Sequence, residues 1–361
     1  MSELKTNKIS TNDQNNVAID NALGLKSYTT SLRDALTSVA GDMIYNSDDS
    51  KVQYYDGTEW IDTGAADPVL TVDYLIVAGG GGGGCDRSGG GGAGGLLTNL
   101  DNNSSDTETG FILSTGVAYT AYVGGGGAGS SSTHTRGNNG GNSRFHNYTA
   151  NGGGGGGAGS ASNSSQRSGS NGGSGGGEAG GDAANAQGSP GTGISGQGFA
   201  GGNGRFQNNG SRGGGGGGAS EVGTDGSSGG NGGDGLTTTI INSTIATSRS
   251  VGEVDSGNVY FGGGGGGGAD ERTYGGGPGG LGGGGNGKNL SDNNGTANTG
   301  GGGGGARLYD KTGANGASGV VILRYPNTYT ATLSGLTGTT DSIDEDTVLI
   351  ITSGNGTVTW S

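Results

Sequence analysis

The chain has 361 residues, of which 96 are glycine, and a formal net charge of −14. Leu, Ile, Val and Phe together number 54, with only 16 of them among the 196 residues from Gly124 to Gly319, too few for the two or three apolar-cored domains that such a length ordinarily builds. The acidic balance argues against a nucleic-acid or anionic-membrane binder, which needs a basic footprint, and Cys85, the single cysteine, leaves no internal disulfide or thiolate metal cluster.

In chain order, residues 1–66 have ordinary composition and form the first expected domain. MSELKTNKIS has no apolar core of a signal peptide, and no 18-residue apolar stretch follows, so a soluble chain without membrane insertion is expected. Ser31-Leu32-Arg33-Asp34 resembles a capping box, and Leu32, Ala35, Leu36 and Val39 take helical spacing. A β-meander follows: Met43–Tyr45, a turn at 46–50, Val52–Tyr55, the hairpin signal Asp56-Gly57, then Glu59–Ile61. Three short strands are marginal alone, so this module is expected to gain stability by packing on copies of itself. Trp60 reads as core of the meander.

The second expected domain is 67–326. Thr71–Ala78 is the most apolar strand candidate and runs into Gly79–Gly84; Phe111–Val123 reads as two strands around Thr115-Gly116; Gly319–Tyr325 closes the region before Pro326. Between them lie about ten glycine runs, at 79–84, 89–95, 124–129, 152–159, 172–181, 213–219, 229–235, 262–269, 275–287 and 300–306. Flexible linkers mix Gly with Ser throughout, whereas here Gly blocks are segregated from segments rich in Asn, Ser, Thr and aromatics. A backbone without side chains permits close approach, as in collagen, and its N–H and C=O groups must find partners. The expected fold class is therefore irregular/all-β: a bundle of about ten glycine-rich, polyproline-II-like helices on a small β base. The competing reading is a disordered glycine coil. Residues 327–361 read as a third, small C-terminal β unit built from 329–333, 348–352 and 357–360.

If the runs alternate in direction, Thr71–Ala78 and Gly319–Tyr325 lie side by side at one end. The opposite, distal end then receives 85–88, 130–151, 182–212, 236–261 and 288–299, which carry Phe145, His146, Tyr148, Phe199, Phe206 and Tyr260. Rigid rings among small polar residues are the composition of a binding surface, so these six are the candidate receptor-binding residues. The alternative for each ring is covering the end of a glycine run.

Other motifs carry little. Gly229–Thr237 matches one calcium-binding nonapeptide, but that site needs stacked copies. The Gly-x-Gly-x-x-Gly strings open no amphipathic helix. His134 and His146 lie on polar segments without a Cys partner. No catalytic residue, metal or cofactor is expected, and the chain reads as a non-enzyme.

The passages VDYLIVAGGGGGG, AYTAYVGGGGAG, GGNSRF, YTANGGGGGGAG and GGGGGARLYDKTGANGASGVVILRYP resemble the glycine-rich domain of tailed-phage virion proteins. MSELKTNKIST and GDMIYNSDDSKVQYYDGTEWIDTG are similar to N-terminal parts of marine phage tail-fibre and structural proteins. The glycine architecture also resembles the polyglycine-II sandwich adhesins at the fibre tips of T-even-like phages, although those tips usually lack a fused N-terminal module. The resemblance implies a location in the virion and recognition of a host cell-surface glycan or protein. On that reading residues 1–66 attach to other virion tail or fibre proteins and assemble a homotrimer. The alternative is a structural or decorating virion protein without receptor binding. An ice-binding glycine bundle would need a flat, regular Thr/Ala face, which these uneven runs do not offer.

Overall fold

A computed structural model describes residues 24–63, 70–100, 109–132, 134–159, 163–181, 187–207, 210–270, 275–287, 293–309 and 312–361. The segment MSELKTNKIST lies outside them. The chain divides into two compact units, Met1–Val69 and Leu70–Ser361.

In the first unit a four-stranded sheet runs in chain order: β1 (Ser27–Tyr28), β2 (Met43–Asn46), β3 (Lys51–Tyr55) and β4 (Trp60–Thr63). The Asp56-Gly57 turn joins β3 to β4 as its sequence signals, with Gly57 at φ 110°. The helix α1 (Thr30–Asp34) is shorter than the spacing suggests and is capped by Thr29 rather than Ser31; the Thr29 hydroxyl accepts from Leu32 N. Leu32 and Val39 are exposed, so no apolar face held the helical pattern to its end.

The second unit is organised by a nine-stranded sheet. Its strands are β5 (Leu70–Val77), β6 (Leu96–Thr98), β7 (Phe111–Leu113), β8 (Ala118–Tyr122), β9 (Ser143–Phe145), β10 (Tyr148–Ala150), β14 (Val320–Pro326), β15 (Ala331–Ile343) and β16 (Asp346–Trp360). A separate small sheet holds β11 (Leu236–Thr237), β12 (Glu253–Asp255) and β13 (Asn258–Phe261) in the order β11-β13-β12. Among its described residues are two short α-helices, α2 (Ser164–Arg167) and α3 (Ser243–Arg249), and a 3-10 turn at Gly226–Ser228.

The large sheet runs β10-β9-β8-β16-β14-β5-β6, with β15 on the second edge of β16 and β7 beside β6 on β5. All its pairings are antiparallel. It curls until β10 lies near β6, giving a nearly closed barrel.

Both faces of the central strands are buried over YLIV, VVIL and VLII, which is why these read as continuous apolar runs, whereas the first half of β5 alternates, with Thr71 exposed and Asp73 half-buried. One face packs Tyr74, Ile76, Val321, Leu323, Tyr325, Leu349, Ile351 and Phe145 around the fully buried Trp360. The other packs Leu75, Val77, Val320, Ile322, Val348 and Ile350 against Ile240, Ile241, Ile245, Val251, Val259 and Phe261 from the α3 region and β13.

These findings correct the expected fold class. The regular structure is β, and its largest element is a nearly closed antiparallel sheet rather than a small base under polyproline-II-like helices. Residues 331–360, expected as a separate small unit, form two long strands of that sheet, β15 and β16, of 13 and 15 residues. Their Thr-, Ser- and Gly-rich stretches hide the strand length in the sequence.

The glycine runs carry neither strand nor helix, yet they are ordered by their backbones. Ala78, Gly81 and Gly84 donate to Gly95, Gly92 and Gly89, so the 79–84 and 89–95 runs lie antiparallel. Gly79 and Gly82 donate to Gly141 and Asn138, while Gly80 and Gly83 donate to Ala317 and Ala314. One buried segment is thus bonded to three others. Each such bond contributes only about 1 kcal/mol net, but leaving a buried amide unpaired costs more. Close packing explains the composition: a Cβ on Gly81 would collide with the carbonyl of Gly154 and one on Gly91 with that of Gly81.

Candidate functional site

The bonds just described also settle which segments lie at which end. The segments 137–142 and 313–318 cross the glycine region as fully as the pure runs do, although their Asn, Ala and Ser content kept them out of the run count. Each uncounted crossing reverses the expected end of the next connection. The distal placement of 143–151, of 192–199 with Phe199, and of 236–261 is therefore corrected, since all three lie at the sheet.

Phe145, His146 and Tyr148 fall on the β9–β10 hairpin, which pairs with β8. Phe145 is fully buried, 6.2 Å from Trp360 ring to ring, and belongs to the core. His146 occupies the hairpin turn at φ 51° and sets its ring edge-on to Tyr119 and Phe111. Tyr148 is partly exposed, its ring tilted against Phe111 at 5.0 Å and edge-on to Tyr74 at 5.4 Å. Tyr260 sits in β13, paired with Thr237 and Glu253. Phe206 lies at the far end, where the Arg167 guanidinium stands 5.7 Å over its ring.

That far end is polar and tightly tied. Arg167, 1% exposed, donates to the carbonyls of Gly159 and Gly180. Asp86 and Arg87 form a buried pair. Glu178 accepts from the amides of Gly188 and Gly204, and burial pushes its carboxyl above the ordinary range. The Cys85 thiol donates to Ser132 O, and burial raises it also, which disfavours the thiolate needed of a nucleophile. Tyr309, a residue that sequence reasoning passed over, is the most exposed large ring here at 80%.

Phe199 is placed differently. It lines a groove of about 830 Å³ at the sheet end of the glycine region, between Leu96–Thr98 of β6 and Leu236 of β11, with Gln197, Ala219 and Val222 along its walls. The turn at 194–197 is pinned to the sheet edge. Gln197 O accepts from Leu96 N, its side-chain oxygen accepts from Asn151 N, and its side-chain amide donates to Thr149 O. Gly196 at φ 77° gives the turn its left-handed residue. The main chain of Phe199 is then fixed on both sides, its N–H donating to Gly218 O and its carbonyl accepting from Gly175 N. Phe199 remains 45% exposed, and Val222, which also lines the groove, is 51% exposed.

Tyr74 joins this groove to the hairpin. It lines the groove and sets its ring tilted against Phe111 and edge-on to Tyr148. The structure therefore brings Phe199 and Tyr148 to one region through a residue that sequence reasoning assigned only to a strand. Phe206 and Tyr260 are not brought to it. Thr192, Ser195, Thr98 and Ser220 give the rim hydroxyl groups. Chemically the groove offers fixed rings, small polar groups and one anchored amide. Among the described residues no three His, Cys, Asp or Glu side chains gather as a metal site would require.

Residues 58–326 match the model of a family described as a glycine-rich domain. No curated protein and no solved structure matches the chain.

Proposed function

We propose, for a chain that belongs to the glycine-rich domain family, the role of a non-enzymatic tailed-phage virion fibre or adhesin that binds a host cell-surface receptor. The resemblance of its strand–glycine junctions and N-terminal passages to phage virion proteins supports the virion setting. The single observation that carries recognition is Phe199: a main chain hydrogen-bonded on both sides presents a half-exposed ring in a groove. Rigid rings give contact area at low entropic cost, and small polar neighbours adapt. A neutral surface glycan fits this combination, since its apolar ring faces lie on Phe199 while its hydroxyls meet Gln197, Ser195 and Thr192. Many copies on one particle would multiply a weak contact.

The test is binding of the purified full chain to candidate host cells and to their isolated surface glycans. Phe199→Ala should weaken binding at least tenfold while the melting transition stays in place. Unchanged binding by that variant removes the groove from the reading. Absence of binding to any host surface, with the protein still in the virion, favours a structural or decorating component.

A further inference from the structure

The first unit holds a pocket of its own. It measures about 380 Å³ and lies between the end of α1 and the β3–β4 hairpin, with Arg33, Asp34, Tyr55, Thr58, Glu59 and Trp60 on its walls. Trp60, expected as core of the meander, is only half-buried, and so is Tyr55. Their ring centroids stand 5.4 Å apart with the planes tilted by 55°, which gives the pocket an aromatic wall.

Both sides of the pocket are tied down by the fold. Asp56 Oδ1 accepts from Thr58 N, Thr58 Oγ1 and Glu59 N, which fixes the hairpin turn. The chain leaving α1 is bound to β3, since Gly41 N donates to Tyr55 O and Tyr55 N donates to Asp42 O. The Arg33 guanidinium donates to Gln53 Oε1 through Nη1 and to Asp34 Oδ1 through Nε and Nη2. These bonds fix its plane and leave N–H groups over. Among the described residues the second Asp34 oxygen and the Glu59 carboxylate have no partner.

We infer that this pocket binds a neutral pyranose sugar, at a site independent of the Phe199 groove in the other unit. The wall chemistry selects that class. Arg33 can only donate, while ionised Asp34 and Glu59 can only accept. Their ligand must therefore present acceptors and donors side by side, as adjacent sugar hydroxyls do. An anion would meet the two carboxylates and a cation the guanidinium, so net charge of either sign is disfavoured. The Tyr55–Trp60 wall takes the C–H face of the ring, giving contact area at low entropic cost. The volume falls near the lower end of ligand pockets, about 300–1,000 Å³, which suits a terminal sugar rather than a long chain.

The experiment is saturation-transfer NMR on the full chain carrying Phe199→Ala, so that the groove contributes nothing. The probes are the methyl glycosides of glucose, galactose and mannose, with galacturonate and glucosamine as anionic and cationic counterparts. At least one neutral glycoside should bind with a dissociation constant on the order of 1 mM, and the charged sugars at least about fivefold more weakly. Glu59→Ala should weaken the neutral sugar at least about fivefold, and Trp60→Ala should remove its saturation transfer. Glu59 is exposed in a turn, so its variant keeps the fold, which the near-ultraviolet signal of the Tyr55–Trp60 pair reports. No transfer to any neutral glycoside overturns the inference. So does binding that survives both variants, or a charged sugar that binds as tightly as the neutral one. The Phe199→Ala background keeps each of these results apart from the fate of the groove.

Discussion

Val77 and Val320 face each other across antiparallel β5 and β14; glycine directly precedes β14 and follows β5 after a single alanine, Ala78. Gly79, two residues beyond Val77, donates to Gly141, and Gly319, one residue before Val320, donates to Gly124. The apolar sheet thus passes directly into a region held by main-chain bonds, and both share one strand pair as their hinge of register.

Tolerance to alanine should follow the space around each glycine rather than its place in a run. A Cβ at Gly81 meets the Gly154 carbonyl, whereas one at Gly125, on the surface of its own run, meets nothing within 4 Å. Gly81→Ala should destabilise the protein by about 1–3 kcal/mol or more, and Gly125→Ala should stay within about 0.5 kcal/mol. Denaturant melts of the two variants measure both; equal effects would mean that the glycines serve only as spacers.

The α3 region should behave as core. Ile240 is fully buried against the sheet strands, so Ile240→Ala should cost about 2–5 kcal/mol. Tyr309→Ala, at an exposed ring of the far end, should be near neutral in stability. An Ile240→Ala melt indistinguishable from the native one would detach this region from the sheet.

Arg249 of α3 grips Asp341 of β15 through two hydrogen bonds, 2.6 and 3.0 Å. The hydrogen bond from Arg249 holds the Asp341 carboxyl below its ordinary 3.8. Because the folded group ionises more readily than the unfolded one, its contribution is present above the unfolded value and lost as pH falls through the folded value. The pair is partly exposed, so its effect is small. The stability difference between the native chain and Asp341→Asn should shrink as pH drops below about 4, read by melts at stepped pH. A difference that stays constant through the acid range would contradict the linkage.

How much was legible depended on whether local pattern or chain path decided the outcome. The strands β5 and β14 were legible as apolar runs bordered by glycine, their pairing only through the assumption that the runs alternate in direction, and the β3–β4 hairpin because Asp56-Gly57 names its own turn. The strands β15 and β16 were only partly so, since Leu336-Thr337-Gly338-Thr339 carries a single apolar side chain and is half-buried at most, its strand set by pairing with β16. The positions of Phe145 and Tyr260 depended on the number of crossings, and Gly137–Asn142 does not look like a glycine run although it bonds like one. One signal was available: half of the 16 aliphatic and Phe residues between Gly124 and Gly319 fall in Leu236–Phe261, a density suited to packing on a sheet. Tyr74 as the link between groove and hairpin had no sequence signature.

Hydrogen exchange at the glycine amides tests most directly whether main-chain bonding replaces an apolar core. Every N–H from Gly79 to Gly84 and from Gly262 to Gly268 has an acceptor in another segment. Those amides should exchange as slowly as Val320–Leu323 of β14, through opening of the whole unit. Exchange at the rate of an unstructured chain, with β14 still protected, would contradict the account.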